Sequence, residues 1–207
     1  MSEKIDLTKD LKSLYFPSAK APVLVEVPPM RYLMLDGSGP PGTPLYQAIV
    51  SALYSLAYTL KFAVKKQQGI DYGVLPLEGQ WWVPEGQEFR MDVRDNWQWT
   101  MMIRQPEWIT VELVEAARAQ VIKKLGATDA ATEAAKARLE VLEEGLAAQI
   151  LHIGPYDAEP PVIQRLHAFV TGQGYRLRGK HHEIYMGDPN RTAPEKLKTV
   201  LRHPVMR

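Results

Sequence analysis

The sequence has 207 residues, with 25 Lys and Arg against 24 Asp and Glu, and it contains no cysteine. This length can bury a substantial core without disulfides, and the balanced charge provides no overall field that would attract nucleic acid or an anionic membrane. Thiol nucleophiles and cysteine-ligated zinc sites are excluded.

The opening residues, MSEKIDLTKDLK, lack the basic and apolar regions of a secretory signal. No apolar run approaches the roughly 20 residues needed to cross a bilayer, so we expect a cytoplasmic protein with no membrane partner. Residues 1–22 are predicted to form an N-terminal extension, with a short helical pattern around Leu7 to Leu14. This segment has no room for a helix-turn-helix module, and we expect no nucleic-acid partner.

The first long helix is predicted to begin after Thr43, a good N-cap, with Pro44 at a position where its missing N–H costs nothing. Apolar residues then recur at three- and four-residue spacing as far as Val64, which predicts a face packed on a sheet. A second stripe on this helix suits either a cleft or a dimer contact, so monomer and homodimer both stay open. Its members are Tyr46, Val50 and Tyr54.

Two halves of the chain align with each other. When the segment that starts at Tyr32 is aligned without gaps to the segment that starts at Gln149, Gly falls opposite Gly, Pro opposite Pro and Gln opposite Gln. Each half is interpreted as strand, helix, strand, strand. We therefore predict an α+β fold in which two pseudo-repeated modules, about 23–108 and 145–206, form a central cleft within a domain spanning 23–207.

The segment 110–142 between the modules is rich in Ala, Glu, Lys and Arg and is predicted to form a helical insert. Gly126 is expected to divide it into two helices. A scaffold or lid is one interpretation of this insert, and a helix that binds a protein partner is the alternative.

The five tryptophans all lie between positions 81 and 108. Trp99 and Met101 share one face of a predicted strand, and Trp81 and Trp82 follow the preceding strand. Such a concentration suits a wall on which a planar ligand stacks, although tryptophans are also ordinary core residues.

A predicted strand near the C-terminus, HHEIYMGD, carries Glu183 and Tyr185 on one face. If the helices cover one face of the sheet, these two side chains are expected on the opposite face, toward solvent or a cleft. Glu183 is a candidate general base, or a counter-ion for a cationic ligand, and the sequence does not separate the two roles.

Aligning the two halves at their glycines places Leu75 opposite Glu183, which predicts one apolar and one polar wall. Glu78 is a second candidate carboxylate beside the tryptophans, with a position in a turn as the alternative. His181 and His182 point to opposite faces of a strand, and the other histidines are isolated. We predict no metal site and no cofactor.

Three motifs carry a family resemblance: LEGQWW (Leu77 to Trp82), AQILHIGPYDAEPP (Ala148 to Pro161) and GKHHEIYMGDPNRTAPEKLKTVLRHPV (Gly179 to Val205). With them the chain resembles the GyrI-like small-molecule-binding domain, in its stand-alone branch. The resemblance implies two modules around a cleft, hydrophobic and often cationic or planar aromatic ligands, and an acidic residue in the E-x-Y strand, here Glu183.

Some stand-alone relatives are similar to cyclopropanoid hydrolases, which open a strained ring in DNA-alkylating compounds. By this resemblance Glu183 would activate water and Tyr185 would hydrogen-bond the water or a developing oxyanion. A non-catalytic multidrug sensor or sequestering protein is the alternative, and modulation of a larger protein partner is a third. The expected ligand-binding residues are Tyr54, Leu75, Glu78, Trp81, Trp82, Trp99, Met101 and Tyr156.

Overall fold

A computed structural model describes residues 4–87 and 93–207 of the chain. The strands are β1 (Val23–Val27), β2 (Met30–Ser38), β3 (Leu77–Trp82), β4 (Gln98–Gln105), β5 (Arg138–Leu142), β6 (Gly145–Ile153), β7 (Arg176–Leu177), β8 (His181–Tyr185) and β9 (Lys198–Met206). The α-helices are α1 (Lys12–Tyr15), α2 (Pro44–Gln68), α3 (Val111–Leu125), α4 (Asp129–Ala134) and α5 (Pro160–Gly172). Short 3-10 turns lie at Lys9–Leu11, Tyr156–Ala158 and Pro194–Lys196.

The strands form a nine-stranded sheet in the order β1-β6-β9-β8-β3-β4-β2-β5, with β7 paired to β9. All of its pairings are antiparallel. The predicted α+β class is confirmed. The element order is β2-α2-β3-β4 in the first half and β6-α5-β7-β8-β9 in the second, while β1 pairs with β6 across the halves. The duplication itself stays a prediction.

Helix α2 begins and ends as its residues dictate. The Thr43 side chain accepts from the Tyr46 N–H, and Gly69 ends the helix with a φ of 71°, which L side chains rarely adopt. Its apolar face is buried on β2 and β4 from Ala48 to Val64. By length and composition α2 could cross a membrane, although we expected no segment of the chain to do so. A helix with a buried apolar face is also typical of a protein core.

The segment between the halves differs from the expected all-helical insert. It divides at Gly126 as predicted, but Arg138–Leu142 form β5, which pairs with the outer edge of β2. Strand β5 satisfies hydrogen-bonding groups of β2 that would otherwise form a free edge, and Arg138 pairs with Asp36 of that strand. Helices α3 and α4 pack on α2, as a scaffold would.

The two faces of the sheet are covered differently. Helix α2 packs over β2 and β4 at one end of the sheet, and α5 packs over β6 and β9 at the other. The middle strands β3 and β8 lie between them. The opposite face is covered by the N-terminal segment, in which Leu14 and Tyr15 are almost fully buried. Residues of the predicted extension are therefore part of the core.

Candidate functional site

A cavity of about 1270 Å³ opens above the middle of the sheet, on the face that carries the helices. Helix α2 forms one wall, and the loop before α5 and the loop after β8 form the others. The floor comes from β3 and β8, with Trp81, Glu183 and Tyr185. Our expectation that Glu183 and Tyr185 lie on the face opposite the helices is wrong, because α2 and α5 cover only the two ends of the sheet.

A chain of hydrogen bonds crosses the cavity floor. The Trp81 indole N–H donates to the Tyr185 hydroxyl at 2.9 Å, and this hydroxyl donates to Oε2 of Glu183 at 2.8 Å. Nε2 of His181 lies 3.2 Å from Oε1 of the same carboxylate. Both oxygens of Glu183 therefore have partners that hold the carboxylate in one orientation.

Gly79 makes room for this chain of hydrogen bonds. It pairs with Glu183 across β3 and β8. A Cβ at this position would lie 2.5 Å from Cε of Met101, 3.0 Å from Nε1 of Trp81 and 3.1 Å from the Tyr185 hydroxyl oxygen. A side chain here would displace the groups that orient the carboxylate.

Aromatic rings surround the acidic group. Tyr46 stacks near Trp81 with ring centroids 6.4 Å apart, and Trp97 meets Trp81 edge-on at 5.6 Å. Tyr156 meets Tyr185 edge-on at 5.8 Å. Burial, with the nearby Glu183 carboxylate, raises the pKa of Tyr185 well above its usual value. Its hydroxyl therefore keeps its proton at neutral pH and can donate a hydrogen bond.

A second carboxyl group, Glu159, also lines the cavity, and our sequence reasoning did not select it. It is only 2% exposed, and its Oε1 has no hydrogen-bond partner among the described residues. Burial, together with the Glu183 carboxylate, raises the pKa of Glu159 to about 9. The signal in the sequence was its place in the AQILHIGPYDAEPP motif, three residues after Tyr156.

Six of the predicted site residues line the cavity. They are Tyr54, Leu75, Trp81, Tyr156, Glu183 and Tyr185. Trp99 and Met101 do not, although they share the face: both are fully buried, and Trp99 meets the ring of Tyr46 at 5.3 Å. They support the aromatic wall from below instead of forming its surface.

Trp82 and Glu78 lie outside the cavity, contrary to expectation, because strand alternation turns them to the other face of β3. The Trp82 N–H donates to Gln98, and the Lys180 ammonium lies 3.3 Å from the centre of its ring. Glu78 is fully buried and accepts hydrogen bonds from the hydroxyls of Tyr15 and Tyr32.

Glu78 belongs to a buried network beneath the cavity floor. His182 lies between Glu78 and Glu144, with Nε2 3.0 Å from the first carboxylate and Nδ1 2.9 Å from the second. Arg202 donates to Glu144 and to Gln149. Burial alone would lower the pKa of His182, but Glu144 and Glu78 raise it to about 9. This charged network anchors β8 from the face opposite Glu183.

No set of three or more His, Asp or Glu side chains within residues 4–87 and 93–207 is arranged to hold a metal ion. The site thus consists of an aromatic cavity whose floor holds a carboxylate with two fixed partners and whose wall adds a second, buried carboxyl group. Such a cavity in a mixed sheet-and-helix domain defines a small-molecule-binding protein.

The sequence model of the GyrI-like small molecule binding domain matches residues 20–206. The chain therefore belongs to this family. No curated protein shows significant sequence similarity to the chain.

Solved structures agree with this assignment. An uncharacterized conserved protein from Listeria innocua is 37% identical, with a TM-score of 0.89, over 98% of this chain and 100% of that one. A hydrolase from Listeria innocua is 36% identical, with a TM-score of 0.84, over the same shares of both chains. The EcmrR C-terminal domain is 14% identical, with a TM-score of 0.53, over 90% of this chain and 97% of that one, and shares the fold alone.

Proposed function

We propose that the cavity binds a hydrophobic, planar aromatic molecule in the cytoplasm, and that the chain hydrolyses the strained cyclopropane ring of such a xenobiotic. The observation that carries this proposal is the Glu183 carboxylate, which Tyr185 orients at 2.8 Å on the floor of an aromatic cavity. A carboxylate fixed beside a binding surface for flat apolar molecules suits a general base that directs water at a bound ligand.

The reaction requires little from the protein beyond orientation. Glu183 takes a proton from water as the water oxygen bonds to a cyclopropane carbon. The ring C–C bond breaks, and its electron pair moves into a conjugated carbonyl group of the ligand, whose oxygen then takes a proton. Ring strain lowers the barrier, so one base and a stacking surface are a sufficient minimum.

The surrounding rings support the choice of ligand. The ring centroids of Tyr46 and Trp97 lie 6.4 Å and 5.6 Å from that of Trp81, and all three rings line the cavity. Flat aromatic ligands gain both buried area and favourable ring contacts on such a surface. The similar Listeria innocua structure that is described as a hydrolase is consistent with turnover.

A second candidate is a non-catalytic sensor or sequestering protein in which Glu183 is the counter-ion of a cationic ligand. The observation that favours it is the same carboxylate among aromatic faces, since rings and a negative charge together attract organic cations. The two candidates differ in ligand charge and in the fate of the ligand.

The test begins with a tryptophan-fluorescence screen of planar aromatic compounds, followed by mass analysis of each binder after incubation. For a neutral cyclopropane-containing binder we expect a product heavier by one water. Glu183→Gln should retain binding and lose turnover about 100-fold or more. The matched control, Glu107→Gln, changes an exposed glutamate outside the cavity and should behave as wild type. Turnover that survives in Glu183→Gln would remove the general base.

For the counter-ion candidate the expected pattern is reversed. Cationic dyes should bind more tightly than neutral ones, Glu183→Gln should lose affinity for them, and no compound should change in mass. Preference for neutral ligands would rule that candidate out.

A further inference from the structure

Resting on the proposed function, we infer that Glu159 is a second catalytic group of the cavity, a neutral carboxylic acid that donates a proton to the ligand while Glu183 acts as the base. Glu159, in the loop before α5, would act as the general acid, and Glu183, on strand β8, as the general base.

The local sequence explains why the Glu159 side chain is available. Glu159 is the N-cap of α5, a position whose side chain normally accepts from the first free N–H groups of the helix. Pro160 and Pro161 follow it and have no N–H, and the N–H groups of Val162 and Ile163 both donate to the backbone carbonyl of Glu159. Its carboxyl group therefore makes no capping hydrogen bond and lies at the cavity wall.

The surroundings favour the neutral form of this group. Glu159 forms no ion pair with any residue that the structure describes. The ionisable groups that interact with it electrostatically are Glu183 and Tyr185 on β8 and Tyr156 on the turn that precedes it. Each of these is either negatively charged or a phenol. A buried carboxyl group beside a like charge and without a cation holds its proton.

Burial also distinguishes the two acids. Glu159 is 2% exposed, whereas the Glu183 side chain is 14% exposed and has a hydroxyl donor at 2.8 Å. Hydrogen bonds to a carboxylate favour its charged form, whereas burial beside a like charge favours the neutral form, and at Glu159 these two effects outweigh the opposing effect of the Thr199 hydroxyl. The raised pKa of Glu159, about 9, therefore keeps a proton on this group at neutral pH. Two carboxyl groups with divergent environments are a common basis for acid and base roles.

This assignment closes the proton balance of the proposed reaction. Glu183 accepts a proton from water as the new O–C bond forms and the ring C–C bond breaks. Glu159 gives its proton to the ligand oxygen that receives the electron pair. Glu183 then carries the proton and Glu159 the charge, and transfer of that proton to Glu159 restores the starting state, with one water added to the ligand.

The test compares Glu159→Gln with the wild type and with Glu107→Gln. Glutamine keeps the size of the side chain and can donate a hydrogen bond, but it transfers no proton. We expect Glu159→Gln to bind the neutral planar probe within about threefold of wild type and to lose turnover by about 100-fold. The wild type should lose activity as pH rises through about 9, and this loss should be absent from the residual activity of the variant.

Infrared spectroscopy of the ligand-free protein at neutral pH tests the proton without any substrate. The carbonyl stretch of a protonated carboxyl group should be present in the wild type and in Glu107→Gln, and absent in Glu159→Gln. Glu159→Asp can still hold a proton, so it should retain the band and recover part of the turnover. This variant distinguishes the loss of the proton from a folding defect in Glu159→Gln.

A band that persists in Glu159→Gln, or full turnover in that variant, would overturn the assignment. A wild-type protein with the band but no turnover would instead refute the proposed hydrolysis and leave Glu159 as a neutral hydrogen-bond donor to a bound ligand.

Discussion

The Trp81 indole N–H donates to the Tyr185 hydroxyl at 2.9 Å, across the 104 residues that separate them in the chain. The two side chains come together because β3 and β8 are neighbours in the sheet, with Leu77 paired to Tyr185 and Trp81 to His181. Since the same hydroxyl donates to Glu183, the aromatic wall and the acidic group are one hydrogen-bonded unit. A change in either residue should therefore disturb the hydrogen bonds that orient the Glu183 carboxylate.

Tyr185→Phe removes the hydroxyl that joins this unit. The Trp81 N–H loses its acceptor and Glu183 loses a donor, so we expect a loss of about 1–3 kcal/mol in the free energy of unfolding. Turnover should fall at least about tenfold, because the base is no longer oriented, whereas affinity for a planar probe should change little. Denaturant unfolding and steady-state kinetics measure the two effects. Tyr175→Phe, outside the cavity, is the control, and equal effects from both variants would contradict this role for Tyr185.

Gly79→Ala tests the space beneath the hydrogen-bonded unit. The new Cβ would lie 2.5 Å from Cε of Met101 and 3.1 Å from the Tyr185 hydroxyl. We expect these side chains to shift, with a loss of about 1–3 kcal/mol in stability and a lower turnover.

The matched control for this overpacking is Gly172→Ala. Gly172 ends α5 with open space around the added Cβ and no positive φ, and helix propensity favours alanine over glycine by about 1 kcal/mol. The control should therefore be as stable as the wild type or slightly more stable. Thermal melts of the two variants provide the comparison, and a Gly79→Ala protein with normal stability and kinetics would show that the close approach is unimportant.

Trp81→Phe and Trp82→Phe form a second matched pair, because these neighbours point to opposite faces of β3. Trp81 lines the cavity, whereas Trp82 bonds to Gln98 on the other face. Trp81→Phe should weaken binding of a planar probe by about threefold to tenfold and reduce ligand-dependent quenching. Trp82→Phe should retain both properties. Fluorescence titration measures them, and a stronger effect at Trp82 would place the ligand elsewhere.

The network around His182 predicts how stability depends on pH. The pKa of His182 is raised to about 9 in the folded chain, so its contribution is complete below its unfolded pKa of about 6.5 and is lost as pH rises through about 9. Burial raises the pKa of Glu144, but His182 and Arg202 lower it to about 2. The Glu144 contribution is therefore lost only as pH falls from the ordinary glutamate pKa of 4.5 through about 2.

Unfolding in urea across this range should show the highest stability between these limits, with a decline toward alkaline pH of the order of 3 kcal/mol. His182→Gln should abolish most of that decline and lower stability at all pH values, because Glu78 and Glu144 lose their shared partner. A decline of the same size in the variant would assign the alkaline loss to another group.

The sequence predicted local relationships well. Alternation along β8 places Glu183 and Tyr185 on one face, and both line the cavity. The N-cap and proline at Thr43 and Pro44 predict the start of α2 at its observed position. These predictions hold because a strand repeats every two residues and a helix start depends on neighbouring residues alone.

The partners of each side chain depended on the tertiary structure. The position of Glu78 beside Trp81 and Trp82 suggested a ligand contact, but Glu78 lies among His182, Tyr15 and Tyr32, which come from distant parts of the chain. Glu159 was overlooked because its burial and its proximity to Glu183 arise only when the loop before α5 closes against β8.

By itself, therefore, the sequence determined which residues share a strand face or a helix stripe, and hence the α+β class and the pairing of an acid with a phenol. Only the tertiary structure decided that α2 and α5 leave the middle of their own sheet face open, which carboxyl group lies in the cavity and which lies in the buried network. The reason is physical: local periodicity follows from backbone geometry, whereas burial and charge environment depend on segments brought together from far apart in the chain.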